Sequence, residues 1–109
     1  MSTALTPRKA ERKPVALGAT CRTASGLRDN GRIADISEKG CCLVTRAMMV
    51  KVGARIVVRP EGMEGLPSTV RWIRGNAIGV EFDAPLYLPI VEHLCRRYPA
   101  DTPIALTYN

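Results

Sequence analysis

The chain has 109 residues, 46% of them hydrophobic and 24% charged, and its formal net charge is +6. This length and composition indicate one globular domain with a modest core, and no apolar run approaches the roughly 18 residues that a membrane-spanning helix needs. The charge is uneven, because residues 1–34 hold seven Lys or Arg residues against two acidic ones. A basic first third on a nearly neutral body favours an anionic partner.

Residues 1–13 are polar and basic, and we expect them to form a flexible arm. They lack the apolar stretch of a secretory signal, so we expect the chain to act in the cytoplasm. In that compartment the four cysteines, Cys21, Cys41, Cys42 and Cys95, should be reduced and structural. With His93 as the only histidine in the sequence, we predict no metal site.

Short strand-like segments follow the arm, separated by turns that contain Gly, Pro or Asn. We predict strands at residues 14–22, 31–37, 41–47, 54–59, 68–74 and 77–83, with turn or loop segments at 25–31 and 60–67. Gly75-Asn76 is typical of a tight hairpin. Alternation predicts that one side of the first strand carries Val15, Leu17, Ala19 and Cys21, and that one side of the last carries Ile78, Val80 and Phe82.

The sequence period changes after the last strand, where apolar residues recur at the spacing of an amphipathic helix. These residues are Tyr87, Ile90, Val91, Leu94, Cys95 and Tyr98. Pro89 suits the first helical turn and Pro99 helps to end the helix. We interpret Phe82, Tyr87 and Tyr98 as core or near-core aromatics.

The predicted fold is therefore mainly β. Six short antiparallel strands close into a barrel, which removes exposed strand edges, and a C-terminal α-helix follows. The predicted boundaries are an arm at residues 1–13, the barrel with its helix at 14–98, and a tail at 99–109.

Two short motifs carry the functional argument. Arg8 and Arg12 form R-x-x-x-R in the arm, and Asp35, Ser37 and Gly40 form D-x-S-x-x-G near the end of the second strand. Each is weak alone, since basic arms are common and turns favour Asp, Ser and Gly. Together, in this order and on a small barrel, they resemble the PilZ domain family of bacterial receptors for cyclic di-GMP. The resemblance covers roughly residues 8–98 and implies that these five residues bind the ligand.

The chemistry of these residue types fits that ligand. Arginine can pair with phosphate oxygens, bind the Hoogsteen edge of guanine or stack on a base. Asp35 can accept from the N–H donors of guanine. Ser37 lies two residues later, so on a strand both should point to one outward face while Ile36 points into the barrel. Gly40 would permit positive φ and a close approach to a base.

Five further residues are auxiliary candidates: Lys9, Lys13, Arg71, Trp72 and Arg74. The two lysines would supply general electrostatic attraction. Trp72 could pack in the barrel, the commoner fate of a strand Trp, or contact a guanine, as the resemblance allows.

The resemblance implies a receptor and not an enzyme, with cyclic di-GMP as ligand and no further cofactor. The arm would become ordered on the ligand and signal to an unidentified protein partner that controls motility, biofilm formation or exopolysaccharide production. One ligand or an intercalated pair could bind. One alternative is a PilZ-like adaptor that binds protein without ligand. Another is a basic barrel that binds single-stranded nucleic acid, which the scarcity of aromatic residues disfavours.

Overall fold

The computed structural model describes residues 11–46 and 49–100. Within them lie six strands and one helix: β1 (Lys13–Thr23), β2 (Arg28–Ile36), β3 (Gly40–Val44), β4 (Arg55–Pro60), β5 (Leu66–Arg74), β6 (Ala77–Phe82) and α1 (Leu88–Arg97). The strands form a closed antiparallel barrel in the order β1-β2-β3-β6-β5-β4. This confirms the predicted mainly β barrel with a C-terminal helix.

Several strand boundaries differ from the predicted ones. The turn predicted at residues 25–31 is shorter, because β2 already begins at Arg28, which pairs with Arg22 of β1. The loop predicted at 60–67 is also shorter, because Leu66 pairs with Val58 of β4. The second strand ends at Ile36 and the third at Val44. The predicted strand membership of Ser37 and Thr45 is therefore wrong.

The barrel interior is filled by alternate side chains of the strands, as the sequence pattern predicts. On β1, Val15, Leu17, Ala19 and Cys21 are buried, and on β6 Ile78, Val80 and Phe82 are buried. Leu17, Ile33, Ile36 and Leu43 are fully enclosed. Burial of this apolar surface stabilises the barrel by about 25 cal/mol for each Å² removed from water.

Helix α1 packs against the barrel through Val91 and Leu94, which are buried in the core. Cys95 and Tyr98 are partly buried and also contact the core. The core assignment of Tyr87 is wrong, since its side chain is 71% exposed. Tyr87 is the residue before the helix and has an extended backbone (φ −67°, ψ 131°). It therefore does not follow the helical periodicity that its spacing suggested.

The end of the helix is tied to the first strand. The Ala16 amide donates to the Tyr98 carbonyl at 2.9 Å, and Pro99 forms an isolated antiparallel bridge with Val15. The start of β1 and the end of α1 consequently lie side by side.

All four cysteines are free; Cys95 is partly exposed and the other three are buried. Across residues 11–46 and 49–100, no helix has the length and apolarity required to cross a membrane. The same residues contain no cluster of three His, Cys, Asp or Glu side chains that could hold a metal ion.

Candidate ligand-binding site

The two sequence motifs meet in the structure through an ion pair. Arg12, immediately before β1, donates from Nη1 to Oδ1 of Asp35 near the end of β2. The pair joins residues 23 positions apart, and its side chains remain 44% and 32% exposed. The arginine and the carboxylate are therefore together on the surface and accessible to a ligand.

A β-bulge in β2 determines the direction of Asp35. The register between β2 and β3 shifts between Ile33 and Asp35, so strict alternation breaks there. Ile33 and Ile36 are both fully buried, whereas Asp35 is partly exposed. The bulge thus keeps two isoleucines in the core and leaves the carboxylate outside, and the prediction that Ile36 points into the barrel is confirmed.

Ser37 plays a different part from the predicted one. Its side chain is 4% exposed, and its Oγ accepts hydrogen bonds from the amides of Lys39 at 3.1 Å and Gly40 at 3.2 Å. The prediction that Ser37 shares an outward face with Asp35 is wrong, because the strand ends before it and its hydroxyl stabilises the turn.

The turn from Ser37 to Gly40 also anchors the segment that leads to the helix. The Phe82 amide donates to the Lys39 carbonyl and the Leu86 amide donates to the Glu38 carbonyl, both at 2.8 Å. The motif turn therefore holds the end of β6 and the start of the connection to α1 in place.

Gly40 is required for a reason other than the one expected. It is not among the glycines with positive φ, which are Gly26, Gly53, Gly62 and Gly75. A Cβ at Gly40 would instead lie 2.0 Å from the Val80 carbonyl oxygen. The glycine lets β3 approach β6, so the predicted need for positive φ is wrong.

Strand register extends the site across the outer surface of the barrel. Directly opposed partners run from Pro14 to Asp35, then Cys42, Gly79 and Trp72. We call this set the Asp35–Trp72 row. Three strand spacings separate Asp35 from Trp72, which places them roughly 14 Å apart along the surface.

Trp72 lies on the outside of the barrel and over a glycine. A Cβ at Gly79 would meet the indole ring at 2.1 Å, so the absence of a side chain creates the space for the ring. The Trp72 side chain is partly exposed, and the Arg74 guanidinium lies 4.9 Å from its ring centroid. This cation–π pair places a positive charge over the indole ring.

The remaining auxiliary candidates are spread around the row. Arg71 donates to Glu81 at 2.7 Å, beside the register shift between Val70 and Trp72. The Lys13 Nζ lies 3.8 Å from Oε1 of Glu11. Arg8 and Lys9 lie outside the described residues.

Cys42 and Gly79 lie in the row between Asp35 and Trp72 and were not among the candidates that the sequence indicated. Neither belongs to a motif, and only the pairing of β3 with β2 and β6 places them between Asp35 and Trp72. Burial raises the pKa of the Cys42 thiol, and Asp35 raises it further while Arg12 opposes this. The row therefore has a neutral, tightly packed centre between its polar and aromatic ends.

The geometry defines a class: a small closed barrel whose entering segment places an arginine against an aspartate of the second strand. The PilZ domain family model matches residues 6–98. The chain belongs to the PilZ domain family. A comparison with curated proteins found no match.

Among solved structures, the chain is similar to Bacillus subtilis Inhibitor of motility (MotI/DgrA), with a TM-score of 0.58 and 16% sequence identity. The similarity covers 85% of this chain and 50% of that chain. The chain thus corresponds to about half of that protein, and at this identity the likeness concerns the fold.

Proposed function

We propose that the chain is a cyclic di-GMP receptor whose R-x-x-x-R segment closes over a ligand on the Asp35–Trp72 row. The observation that carries the proposal is the ion pair between Arg12 and Asp35, which unites the two family motifs on an accessible surface. Membership of the PilZ domain family supports the choice of ligand.

Ligand binding would exchange one set of contacts for another. An exposed ion pair contributes about 0–1 kcal/mol, so separating Arg12 from Asp35 costs little. Asp35 can then accept the N–H donors of a guanine, while the Arg12 fork pairs with a phosphate or with the other edge of the base. Arg8, four residues earlier in the arm, supplies the second guanidinium.

Ser37 and Gly40 contribute to this site by shaping it. The Ser37 hydroxyl already bonds two turn amides, and Gly40 packs against the Val80 carbonyl. Their role in the proposal is to fix the end of β2, and with it the position of Asp35. At the other end of the row, a second base would stack on the Arg74 guanidinium, which itself lies over the Trp72 ring.

The signal would pass to a protein partner when the arm becomes ordered on the ligand. The Bacillus subtilis protein of similar fold is an inhibitor of motility, so motility is the first process to examine. Biofilm and exopolysaccharide production are further candidates. We place the receptor in the cytoplasm, in agreement with its free cysteines.

Calorimetric titration with cyclic di-GMP tests the proposal, with GTP as the control ligand. We expect saturable binding that Arg8→Ala or Arg12→Ala weakens by about 1–3 kcal/mol each, a factor of roughly 5 to 150. Arg12→Lys keeps the charge but loses the planar fork, and should recover little of the affinity. Asp35→Asn should also weaken binding, because it replaces a carboxylate oxygen with a donor.

A matched control removes the same charge elsewhere. Lys51 and Arg59, both exposed and outside the Asp35–Trp72 row, can be replaced by alanine together and compared with the Arg8/Arg12 double variant. Equal losses in the two double variants would reduce the arm's role to general electrostatics. Absence of wild-type binding would contradict the receptor proposal and favour the ligand-free adaptor.

A further inference from the structure

Three arginines converge on a part of the barrel surface that the Asp35–Trp72 row does not include. Arg22 of β1 lies directly opposite Arg28 of β2, and Thr20 of β1 lies opposite Arg59 of β4. All three arginines are exposed. They therefore form one basic surface across three adjacent strands, with β1 in the middle.

A groove of about 740 Å³ runs between these side chains. Its lining includes the three arginines together with Thr20, Asn30 and Val57. The glycine at its edge, Gly65, lies so close to Val57 that an added Cβ would be 2.6 Å from Cγ1. The groove thus combines guanidinium, hydroxyl and amide donors with a packed apolar wall.

The charges of this groove differ from those elsewhere on the barrel. Among residues 11–46 and 49–100, carboxylate partners within 4.0 Å are found for Arg12, Arg55 and Arg71 but not for the groove's Arg22, Arg28 and Arg59. Asp29 also lines the groove, and it accepts a hydrogen bond from the Thr45 hydroxyl. Like charges directly opposite on neighbouring strands are destabilising, so an anionic ligand would relieve the repulsion between Arg22 and Arg28.

The groove is well separated from the Asp35–Trp72 row. Asp35 lies seven positions after Arg28 on β2, which corresponds to about 23 Å along an extended strand. A ligand at one location would leave the other accessible.

We propose that this groove, which we call the arginine groove, binds an acidic, extended segment of a protein partner. Arg22 and Thr20 are two residues apart on β1, so the rows that contain them are roughly 6.6 Å apart. Alternate side chains of an extended peptide have the same spacing, which lets successive carboxylates meet Arg22 with Arg28 and then Arg59. Guanidinium groups bind carboxylates through two parallel hydrogen bonds, which gives orientation as well as attraction.

The lining favours a protein segment over a nucleic acid. Within the part of the chain that the structure describes, no aromatic side chain lines the groove, whereas single-stranded nucleic acids are bound by stacking their bases on aromatic residues. The polar groups of the groove come mainly from strand side chains. Among the described residues that line it there is no helix N-terminus, which is the feature that favours a compact phosphate.

Fluorescence anisotropy with a labelled peptide of alternating Glu and Ser residues tests the proposal on the full chain. We expect saturable binding that the Arg22→Gln/Arg28→Gln double variant weakens by about tenfold or more. A peptide with Gln in place of Glu should not bind. Arg59→Gln should also weaken binding of the acidic peptide, since the Arg59 guanidinium lies on the neighbouring row, opposite Thr20.

The matched control is the Lys51→Gln/Arg96→Gln variant, which loses the same charge at exposed positions outside the groove. It should bind the peptide like the wild type, and both double variants should retain the wild-type melting profile. The groove variant should also keep its affinity for cyclic di-GMP, which separates this proposal from the first. An equal loss in the control, no saturable binding, or preference for a single-stranded oligonucleotide of equal charge would overturn it.

Discussion

The Asp35–Trp72 row and the arginine groove are two surfaces of one barrel whose arginines have different neighbours. At the row, Arg12 is paired with Asp35 and Arg74 lies against Trp72. In the groove, Arg22 faces Arg28 across the strand pair. A paired arginine has to exchange one partner for another when ligand binds, whereas an arginine beside a like charge gains from any anion. The first arrangement suits selective binding, and the second suits attraction of an acidic surface.

The largest expected effect on the row comes from adding one methyl group at the turn that follows Asp35. Gly40→Ala would place a Cβ 2.0 Å from the Val80 carbonyl oxygen, so β3 and β6 must separate. We expect a loss of about 3 kcal/mol in the free energy of unfolding, measured by urea denaturation. Ligand binding should fall as well, because the turn that positions Asp35 would shift.

Gly18→Ala is the matched control for that substitution. Its Cβ would lie 3.5 Å from Oε1 of Glu61, an ordinary contact distance, and we expect a change within about 0.5 kcal/mol. If Gly40→Ala were as mild as Gly18→Ala, the close approach of β3 to β6 would not be a determinant of the motif's glycine.

A smaller effect should follow from filling the space under the indole. Gly79→Ala would place a Cβ 2.1 Å from the Trp72 ring, and the ring can move outward because it lies on the surface. We expect a cost of about 1–2 kcal/mol and a red shift of the fluorescence of Trp72, the only tryptophan in the sequence. Unchanged fluorescence would show that the ring does not rest on Gly79.

Much of the barrel could be predicted from the sequence because its signals are local. Alternation on β1 and β6 identified the buried side chains, and Gly75-Asn76 marked the hairpin between β5 and β6. The family pattern also named Arg12 and Asp35 as candidates. Their direct contact across 23 residues follows from the pairing of β1 with β2.

The wrong predictions concern residues whose position is set by contacts distant in the sequence or by the end of a strand, which local spacing does not indicate. Ser37 and Asp35 have the spacing of one strand face, but β2 ends between them and the hydroxyl turns inward. Gly40 looked like a turn glycine, yet the constraint on it comes from Val80, forty residues later. The basic first third of the sequence includes Arg22 and Arg28, but only strand register brings them together with Arg59 in the arginine groove.

The smallest expected effects give the sharpest comparison of the two surfaces, because they differ in sign. Arg12→Gln removes an attractive pair and should lower the free energy of unfolding by up to about 0.5 kcal/mol. Arg28→Gln removes a repulsive one and should raise it by about 0.5 kcal/mol. Urea denaturation at about 50 mM and about 500 mM salt should show both changes shrinking at the higher concentration, since salt screens exposed charges. If the two variants shifted stability in the same direction at low salt, the contrast between a paired and a repulsive arginine surface would be wrong.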